Sequence, residues 1–343
     1  PVSTGFRGIN AYVFQGAKNI VLKNFKLFNY RGILHTILDL TVTVFHYSSF
    51  KSIEIEDKPI FDKYINKKIH ENSEFNFTNF FIWRYHYKLS FSIYEDHLCL
   101  IGQYRNKFPI IFPPLGSQGK GFDKALMMMV EYFQQNGFPV IIKAITEPIK
   151  EIMDEALPGV FRYEHDRDMY DYVYLAQDLI NLKGRKYQKK RNHINKFKRK
   201  YEYHYEPITD ENIEECLIAE MEWAATRPDD QGIMEEKVAI VEAFRNMEAL
   251  GIQGGALRIN GKIQAFALGE ELNPDMAVIH IEKANTDYDG SYAMINQQFA
   301  EHCWSDYTYI NREEDMGIPG LRKAKESYYP HKMIIKYTGY LDR

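Results

Sequence analysis

Hydrophobic positions along this chain of 343 residues switch repeatedly between the two-residue period of strands and the 3.6-residue period of helices. After the first 49 residues, the range 52–56 predicts a strand, and the range 57–65 predicts a helix that begins at Asp57. The range 203–208 and the following Thr209-Asp210-Glu211 repeat this strand-to-helix transition. The pattern therefore predicts an α/β fold in which similar segments occur twice.

The two halves of the chain resemble each other at two spacings. At a spacing of 153 residues, Asp57 matches Asp210. At a spacing of 169 residues, Gly121 matches Gly290, and each glycine precedes a predicted helix. We expect two related units, with 16 extra residues in the second that the helix at 234–250 accounts for. Chance similarity between two α/β segments is the alternative.

The second unit predicts a definite order of elements. They are strand 203–208, helices 212–225 and 234–250, strands 255–259, 263–270 and 277–283, helix 292–303, strand 308–312, helix 320–327 and strand 332–337. Asn260-Gly261 predicts a hairpin turn between two of the strands. The order resembles the GNAT acyltransferase fold, so the predicted fold class is α/β with mixed sheets, as two GNAT-like domains in tandem. The predicted limits are a leader of unknown status at 1–49, an N-terminal domain at 50–181, a basic linker helix at 182–202 and a C-terminal domain at 203–343.

The range 183–200 carries ten Lys or Arg residues and no acid, whereas the rest of the chain has 33 basic and 47 acidic residues. A basic block on an otherwise acidic protein indicates a surface for a polyanion: nucleic acid phosphates, an anionic membrane face or a large phosphorylated cofactor. The candidate nucleic-acid-binding residues are Lys183, Arg185, Lys186, Lys189, Lys190, Arg191, Lys196, Lys198, Arg199 and Lys200. One stripe of the same helix is apolar and is expected to pack on the protein; it consists of Tyr187, Ile194, Phe197 and Tyr201. The alternative is a solvated linker helix.

Composition limits the class of protein. Hydrophobic residues make up 45% and aromatic residues 15% of the chain, which is ample for packed cores. The three cysteines are far apart and match no zinc or redox spacing, so we expect a reducing, cytoplasmic location and no metal. No stretch reaches the roughly 18 apolar residues of a membrane span, so membrane contact, if any, is expected to be peripheral. The leader begins at Pro1 and lacks the pattern of a secretory signal.

The stretch YINREEDMGIPGLRKAKESYYPHKMIIKY, at 309–337, closely resembles the C-terminal domain of bacterial lysylphosphatidylglycerol synthases and their soluble relatives. The matching positions are Asn311, Glu313, Asp315, Gly317, Leu321, Arg322, Lys325, Tyr328 and Pro330. HIEKAN at 280–285 and GSYAMINQQFAEH at 290–302 also resemble this family, and the basic helix resembles its counterpart in Fem-type aminoacyl-tRNA-dependent ligases.

The resemblance implies paired GNAT-like domains that move an aminoacyl group from charged tRNA to an amine or hydroxyl. The implied partners are tRNA and a small-molecule, peptide or lipid acceptor, and no cofactor is required. The lipid-modifying members join this domain to a multispanning membrane domain that this chain lacks, so we do not expect phosphatidylglycerol to be the necessary acceptor.

Aminoacyl transfer needs a group that accepts the proton of the nucleophile. Alternation along the strand at 277–283 places His280 and Glu282 on one face, and either could accept this proton. The family resemblance favours Glu282. The alternative is a pair of surface strand residues joined by an ion pair.

Further candidates follow that strand. Asn311, Glu313 and Asp315 are expected to share one face of the next strand if the chain stays extended, with catalytic roles. Arg322, Lys325 and Tyr328 are candidate substrate-binding residues. The two bases lie one helical turn apart and can approach one anionic group, although a structural ion-pair network is equally compatible with the pattern.

The loop LGSQGKG at 115–121 lies between a predicted strand and a predicted helix, where successive backbone N–H groups can hold phosphate. It partly resembles the pyrophosphate loop of CoA-dependent GNAT enzymes. The candidate cofactor-binding residues are therefore Gly116, Ser117, Gly119 and Gly121, with CoA as the cofactor. Two alternatives to tRNA-dependent transfer stay open: an acyl-CoA-dependent N-acyltransferase, and a non-catalytic module that binds tRNA or an anionic surface.

Overall fold

The computed structural model describes residues 50–65, 70–104, 107–116, 121–225 and 231–342, so the predicted leader at 1–49 lies outside the described residues. The first half contains β1 (Lys51–Ser52), α1 (Lys58–Tyr64), α2 (Phe77–Ile82), β2 (Ser90–Tyr94), β3 (His97–Gln103), β4 (Pro109–Ile111), β5 (Leu115–Gly116), α3 (Phe122–Gln135), β6 (Ile141–Ile145), α4 (Glu147–Ala156) and β7 (Phe161–His165). It continues with β8 (Asp171–Leu175), α5 (Ala176–Asn181) and the basic helix α6 (Gln188–Lys200).

The second half follows the predicted order closely. Its elements are β9 (Tyr203–Pro207), α7 (Ile213–Ala225), α8 (Gln231–Arg245), α9 (Met247–Leu250), β10 (Gln253–Ile259), β11 (Lys262–Asn273), β12 (Met276–Ala284), α10 (Ser291–Cys303), β13 (Tyr309–Asn311), α11 (Pro319–Glu326), β14 (Lys332–Ile334) and β15 (Tyr337–Leu341). The segment predicted as one strand at 332–337 is thus divided between β14 and β15.

The strands form two mixed sheets whose neighbours correspond one to one. The first sheet has the order β1-β2-β3-β4-β6-β15-β7, with β5 also paired to β3, and the second has the order β9-β10-β11-β12-β13-β8-β14. Each sheet contains an antiparallel meander and then one parallel pair joined through a helix, β4 with β6 and β12 with β13. The predicted fold class, α/β with two GNAT-like units in tandem, is confirmed.

Each half of the chain contributes one strand to the sheet of the other. β8 lies between β13 and β14, and β15 lies between β6 and β7. The predicted domain limits at 181 and 203 therefore do not separate the two sheets. Near the start of the two exchanged strands, Lys336 Nζ lies 2.7 Å from Asp171 Oδ1, and both side chains are almost fully buried. Each sheet is complete only with a strand from the other half.

Gly121 and Gly290 begin equivalent helices, α3 and α10, as their spacing predicts. Both have left-handed backbones, with φ of 98° and 95°. A Cβ atom at Gly290 would lie 2.9 Å from the carbonyl oxygen of His193, and one at Gly121 would lie 3.1 Å from that of Glu95. Glycine is required at both positions because any side chain would meet strain and backbone atoms together.

Two predictions for the strand-to-helix transitions need correction. The strand at 52–56 is only Lys51–Ser52, because Asp57 accepts a hydrogen bond from the backbone N–H of Glu54 at 3.0 Å and draws the chain into a short 3₁₀ turn. The extra residues of the second unit are not one long inserted helix, since the described first unit has α1 and α2 before the meander where the second has α7, α8 and the four-residue α9. They lie partly in longer helices: α7 has 13 residues where α1 has seven.

The second sheet has two differently covered faces. Its inter-unit face, which includes Phe266, Leu268 and Ile281, packs in one core with α7, α8 and the first unit. Its helix face, which includes Ala267 and Ile279, packs against α5, α6 and α10. The apolar stripe of the basic helix is buried here as predicted. Among the described residues, no helix combines the length and the apolar character needed to cross a membrane.

Candidate functional site

The second sheet opens into a cleft between β12 and β13. The two strands pair in parallel only over 276–278 and 309–311, after which β13 ends and β12 continues. The side chains that line this β12/β13 cleft are His280 and Glu282 from β12 and Arg312 and Glu313 from the turn after β13. All four are polar, and they form two ion pairs across the opening.

A β-bulge at His280 decides which face each side chain of β12 occupies. Ile279 and Ile281 lie opposite consecutive residues of β11, so His280 is an extra residue in the ladder. The extra residue shifts the alternation along the strand. Glu282 therefore points to the helix face and contacts α10, whereas His280 points to the inter-unit face. The prediction that His280 and Glu282 share one face is wrong for this reason.

On the helix face, Glu282 lies between two donors. Arg312 Nη2 donates to Glu282 Oε1 at 2.9 Å, and Asn296 Nδ2 of α10 donates to Oε2 at 3.0 Å. The side chains of Arg312 and Glu282 are 11% and 13% exposed, so water screens this ion pair poorly. Burial alone would lower the pKa of Arg312, but the charge of Glu282 raises it, so the guanidinium stays charged.

Two tyrosine rings and a lysine of the basic helix enclose this ion pair. The ring centroids of Tyr174 and Tyr328 lie 5.7 and 5.0 Å from the guanidinium carbon of Arg312. Lys190 Nζ lies 3.7 Å from the centroid of Tyr328. Burial and then the charge of Arg312 lower the pKa of Lys190 to about 8, although Glu282 opposes this change. The basic helix thus reaches the Glu282–Arg312 pair through Lys190.

On the inter-unit face, His280 is held between two carboxylates. Its Nδ1 donates to Glu313 Oε1 at 2.9 Å and its Nε2 donates to Glu270 Oε1 at 3.0 Å. Asn79 of α2 also donates to Glu313 Oε1, at 3.3 Å. Burial alone would lower the pKa of His280, but the two carboxylates raise it to about 9. His280 is therefore an imidazolium near neutral pH, with both nitrogens engaged.

A buried polar cluster continues along the inter-unit face. Asn311 Nδ2 donates to Asp171 Oδ2 at 3.0 Å. Lys336 Nζ lies 2.7 Å from Asp171 Oδ1, 2.7 Å from Glu74 Oε2 and 3.8 Å from Glu314 Oε2. One cation faces three carboxylates, and burial raises the pKa of Glu314 to about 8 although Lys336 opposes the change. Asn311 therefore contributes to the contact between the units.

Asp315 lies away from the other acids that the sequence grouped with it. Its Oδ2 accepts hydrogen bonds from Tyr172 OH at 2.6 Å and from Arg322 Nε at 2.8 Å. Burial alone would raise the pKa of Asp315, but these bonds hold it well below its usual value. Because Glu313 has a left-handed backbone with φ of 57°, the chain does not stay extended, and Asp315 turns to the helix face with Tyr172. The expectation of a shared face holds for Asn311 and Glu313 and fails for Asp315.

The two bases of α11 are used to fix the turn after β13. Lys325 Nζ donates to the carbonyl oxygen of Arg312 at 2.6 Å and to that of Glu314. Burial lowers the pKa of Lys325. Arg322, besides its contact with Asp315, lies 2.7 Å from Asp168 Oδ1. These candidates therefore position the turn that presents Arg312, whereas Tyr328 lines the cleft.

The basic residues of α6 and the preceding turn divide into two groups. Several are used within the chain: Lys186 and Lys196 pair with Asp178 and Asp289, Arg191 donates to the carbonyl oxygens of Leu182 and Gly184, and Lys190 and Lys200 lie over tyrosine rings. The side chains of the others are exposed and form no hydrogen bond or ion pair with the described part of the chain; they are Lys183, Arg185, Lys189, Lys198 and Arg199. We call these five residues the basic surface.

The predicted phosphate loop is described only at its ends. Ser117 and Gly119 lie outside the described residues. A Cβ atom at Gly116 would lie 2.8 Å from the carbonyl oxygen of Asp96, so this end of the loop is tightly packed against the chain before β3. CoA binding at Gly116 and Gly121 stays a prediction. In the second unit, Asp289 of the equivalent loop pairs with Lys196 instead.

Sequence reasoning missed three residues in or beside the cleft. Arg312 lies directly after the candidate Asn311, but its contact with Glu282 depends on the bulge in β12. Asn296 is 1% exposed on α10, whose other buried residues are mostly apolar, and a buried amide among them is a signal that the sequence offered. Glu270 could not be foreseen, because it reaches His280 only through the pairing of β11 with β12.

Comparison with known proteins places these features in a family. Residues 67–340 match the family described as phosphatidylglycerol lysyltransferase, C-terminal. The structure is similar to that of a conserved protein of unknown function from Bacteroides thetaiotaomicron VPI-5482, which is 37% identical, with a TM-score of 0.79 over 86% of this chain and 99% of that chain.

Two further similarities are more distant. The C-terminal domain of a protein assigned as a lysylphosphatidylglycerol synthetase from Agrobacterium fabrum is 16% identical, with a TM-score of 0.58 over 84% of this chain and 91% of that domain, and this likeness concerns the fold alone. An uncharacterised protein of Mycoplasmoides gallisepticum is 26% identical over 174 residues. That alignment covers 49% of this chain and 54% of the relative, so the chain spans about half of that protein.

Proposed function

Because the chain belongs to the phosphatidylglycerol lysyltransferase C-terminal family, we propose that it transfers an aminoacyl group from charged tRNA to an amine or hydroxyl acceptor. Membership of this family supports an aminoacyl transferase as the general kind of activity. The tRNA donor and the acceptor, which is a small molecule, a peptide or a lipid, belong to our proposal. So does the cytoplasm as the location, where charged tRNA is made.

One observation carries the proposal: the basic helix and the ionisable cleft share a residue. Lys190 extends from the helix that bears the basic surface and lies over Tyr328, beside the Glu282–Arg312 pair. A polyanion on the basic surface would therefore lie next to the cleft. A charged tRNA joins a polyanion to a reactive ester at its end, which is the combination that this arrangement suits.

The residues of the helix face can supply the steps of the transfer. The nitrogen or hydroxyl oxygen of the acceptor attacks the ester carbonyl carbon, and its proton passes to Glu282. Arg312 stabilises the negative charge that develops on the carbonyl oxygen. The bond from the carbonyl carbon to the ribose oxygen then breaks, and that oxygen leaves with the proton from Glu282. The products are an aminoacylated acceptor and tRNA with a free hydroxyl group.

Glu282 suits the role of proton acceptor better than His280. Both nitrogens of His280 carry protons and donate to Glu270 and Glu313, and its pKa is raised to about 9. It has no free lone pair with which to accept a proton. Each oxygen of Glu282 accepts one hydrogen bond from the side chains described above and keeps further acceptor capacity.

The test is a transfer assay with the full chain. tRNA pools, each charged with one radiolabelled amino acid, are incubated with the protein and with lipid, peptide and small-molecule fractions of a nucleic-acid-free cell extract. We expect label to move from tRNA to one fraction with at least one amino acid, and ribonuclease added before the protein to abolish the transfer.

The same assay with radiolabelled acyl-CoA in place of tRNA tests the alternative enzyme. Transfer from acyl-CoA and not from tRNA would replace our proposal with the CoA-dependent reaction. Tight tRNA binding without transfer to any fraction would favour the non-catalytic binding module.

A further inference from the structure

Two buried polar atoms beside Glu282 form no hydrogen bond with the described part of the chain: Arg312 Nη1, a donor, and Asn296 Oδ1, an acceptor. Asn296 is 1% exposed and the side chain of Arg312 is 11% exposed. More than roughly 90% of buried polar groups in native proteins are paired, and a buried group left without a partner is destabilising. A donor and an acceptor left unpaired around one carboxylate indicate that a ligand supplies their partners.

Both side chains are oriented by the same carboxylate. Arg312 Nη2 and Asn296 Nδ2 hold the two oxygens of Glu282 at 2.9 and 3.0 Å, which fixes the amide and the guanidinium and leaves one further atom of each for a ligand. The ligand that fits carries an acceptor for Arg312 and a donor for Asn296. It also tolerates, or uses, the negative charge of Glu282.

We propose that Asn296 is a specificity-determining residue that recognises the free α-ammonium group of the aminoacyl donor. This inference rests on the proposed function and deepens it. In an α-aminoacyl ester the carbonyl oxygen and the α-nitrogen are separated by only two carbon atoms. The carbonyl oxygen accepts from Arg312 Nη1 while the α-ammonium donates to Asn296 Oδ1, and the charge of Glu282 strengthens the second contact.

The arrangement selects against donors whose α-nitrogen is blocked or missing. An N-acetylated aminoacyl group has no positive charge to place beside Glu282. A fatty acyl group has no nitrogen and leaves Asn296 Oδ1 unpaired. Sites built to hydrogen-bond a substrate group discriminate strongly against analogues that lack it, because their own buried polar atoms are then left unpaired.

The test compares tRNA binding by the full chain with free and blocked donors. tRNA pools charged with one amino acid each are divided, and one half of each is N-acetylated. Filter binding then gives Kd for charged, acetylated and uncharged tRNA. We expect the wild-type protein to bind at least one charged pool about tenfold or more tightly than its acetylated half, which is a difference of about 1.4 kcal/mol.

Asn296→Leu should lose this preference and keep the wild-type affinity for uncharged tRNA. Gln297→Leu is the matched control: it also removes a buried amide oxygen without a partner, but its amide donates to the carbonyl oxygen of Ile180 and not to Glu282. The control should keep the preference. A thermal melt of each variant establishes that it is folded.

Equal affinity of the wild-type protein for charged and acetylated tRNA would overturn the role of Asn296, whether or not the variants fold. That outcome leaves tRNA-dependent transfer intact, because uncharged and charged tRNA still bind and label still moves to an acceptor. Absence of any tRNA binding and of any transfer would instead remove the proposed function, and the inference with it.

Discussion

The two units contain equivalent clefts with the same backbone geometry. On β3, Leu98 and Ile101 lie three residues apart, and their partners Leu115 and Ile111 lie four residues apart. In the second unit, Ala267 and Glu270 of β11 lie three residues apart, and their partners Glu282 and Val278 of β12 lie four residues apart. The first cleft, between β4 and β6, thus carries the bulge that the second carries at His280.

The chemistry of the two clefts differs at four equivalent positions, although Arg312 and its equivalent, Lys143, are both basic. Where the second cleft has His280, Glu282, Glu313 and Glu314, the first has Pro113, Leu115, Ala144 and Ile145. Even the unusual backbone recurs, because Ala144 and Glu313 have φ of 59° and 57°. A GNAT-like unit can therefore fill this cleft with apolar side chains.

This difference shows that the fold does not require the charges of the second cleft. Replacing buried ion pairs with well-packed apolar residues is often neutral or stabilising in proteins, and the first unit has that arrangement. The structural interpretation of Glu282 and Arg312 explains how the charges are tolerated but not why they are there. A role in binding or chemistry explains both.

The largest effect is expected from Glu282→Gln. Removing a positioned proton acceptor lowers the rate of transfer by roughly 10²–10⁴-fold. The substitution keeps the shape of the side chain and an oxygen for Arg312. Leu115→Met, at the equivalent position of the first cleft, conserves volume and should leave the rate near that of the wild-type protein. Comparable losses in both variants, measured with the labelled tRNA assay, would show that the clefts are not functionally different.

Arg312→Leu tests the same comparison through stability. It removes the cation that is paired with the buried Glu282, and breaking a buried pair in this way typically costs about 3–5 kcal/mol. Its first-unit equivalent, Lys143, is 36% exposed and pairs with Asp166 near the surface, where such a pair contributes about 0–1 kcal/mol. Urea denaturation should therefore show a large loss for Arg312→Leu and a small one for Lys143→Leu. Similar losses would mean that Glu282 has another partner in solution.

The sequence predicted the elements of the second unit well because their periodicity is strong and local. It could not predict the strand exchange, since 332–337 has the pattern of one strand and only the sheet shows that β14 and β15 belong to different sheets. The candidate site could be predicted only in part, again because the sequence does not show how strands pair. Glu282 and Tyr328 were found by resemblance, but the separation of His280 from Glu282 depends on a bulge, which is a property of the pairing with β11.

The basic surface, which precedes the first strand of the second unit, is a further difference between the units. We expect a smaller effect from changing it than from changing the cleft. Replacing Lys189 and Arg199 with Gln should weaken tRNA binding and reduce the slope of log K against log salt by roughly 0.7–0.9 for each phosphate that is no longer neutralised. Lys88 and Lys107, exposed lysines of the first unit, provide a control with the same change in net charge. Equal slopes for the two double variants would indicate a general charge effect. The interpretation of α6 as a solvated linker helix would then be preferred.

A pH dependence of stability is also expected from the second cleft and not from the first. The pKa of Glu314 is raised by burial from 4.5 to about 8, against the opposing charge of Lys336. A carboxyl with a raised pKa in the folded state stabilises the fold fully below its unfolded pKa, and this contribution is lost as the pH rises through the folded value. Stability should therefore decline between about pH 4.5 and 8.

Glu314→Gln removes this titration and should flatten the decline, so that the variant gains on the wild-type protein as the pH rises. The first unit has Ile145 at this position and provides no such titration. Glu74→Gln is needed in parallel, because Glu74 contacts the same Lys336 and burial also raises its pKa. Melting temperatures at pH 5.5, 7 and 8.5 measure the effect. A decline that persists unchanged in both variants would mean that Lys336 keeps all three carboxylates ionised, and that the polar cluster is as insensitive to pH as the apolar cleft of the first unit.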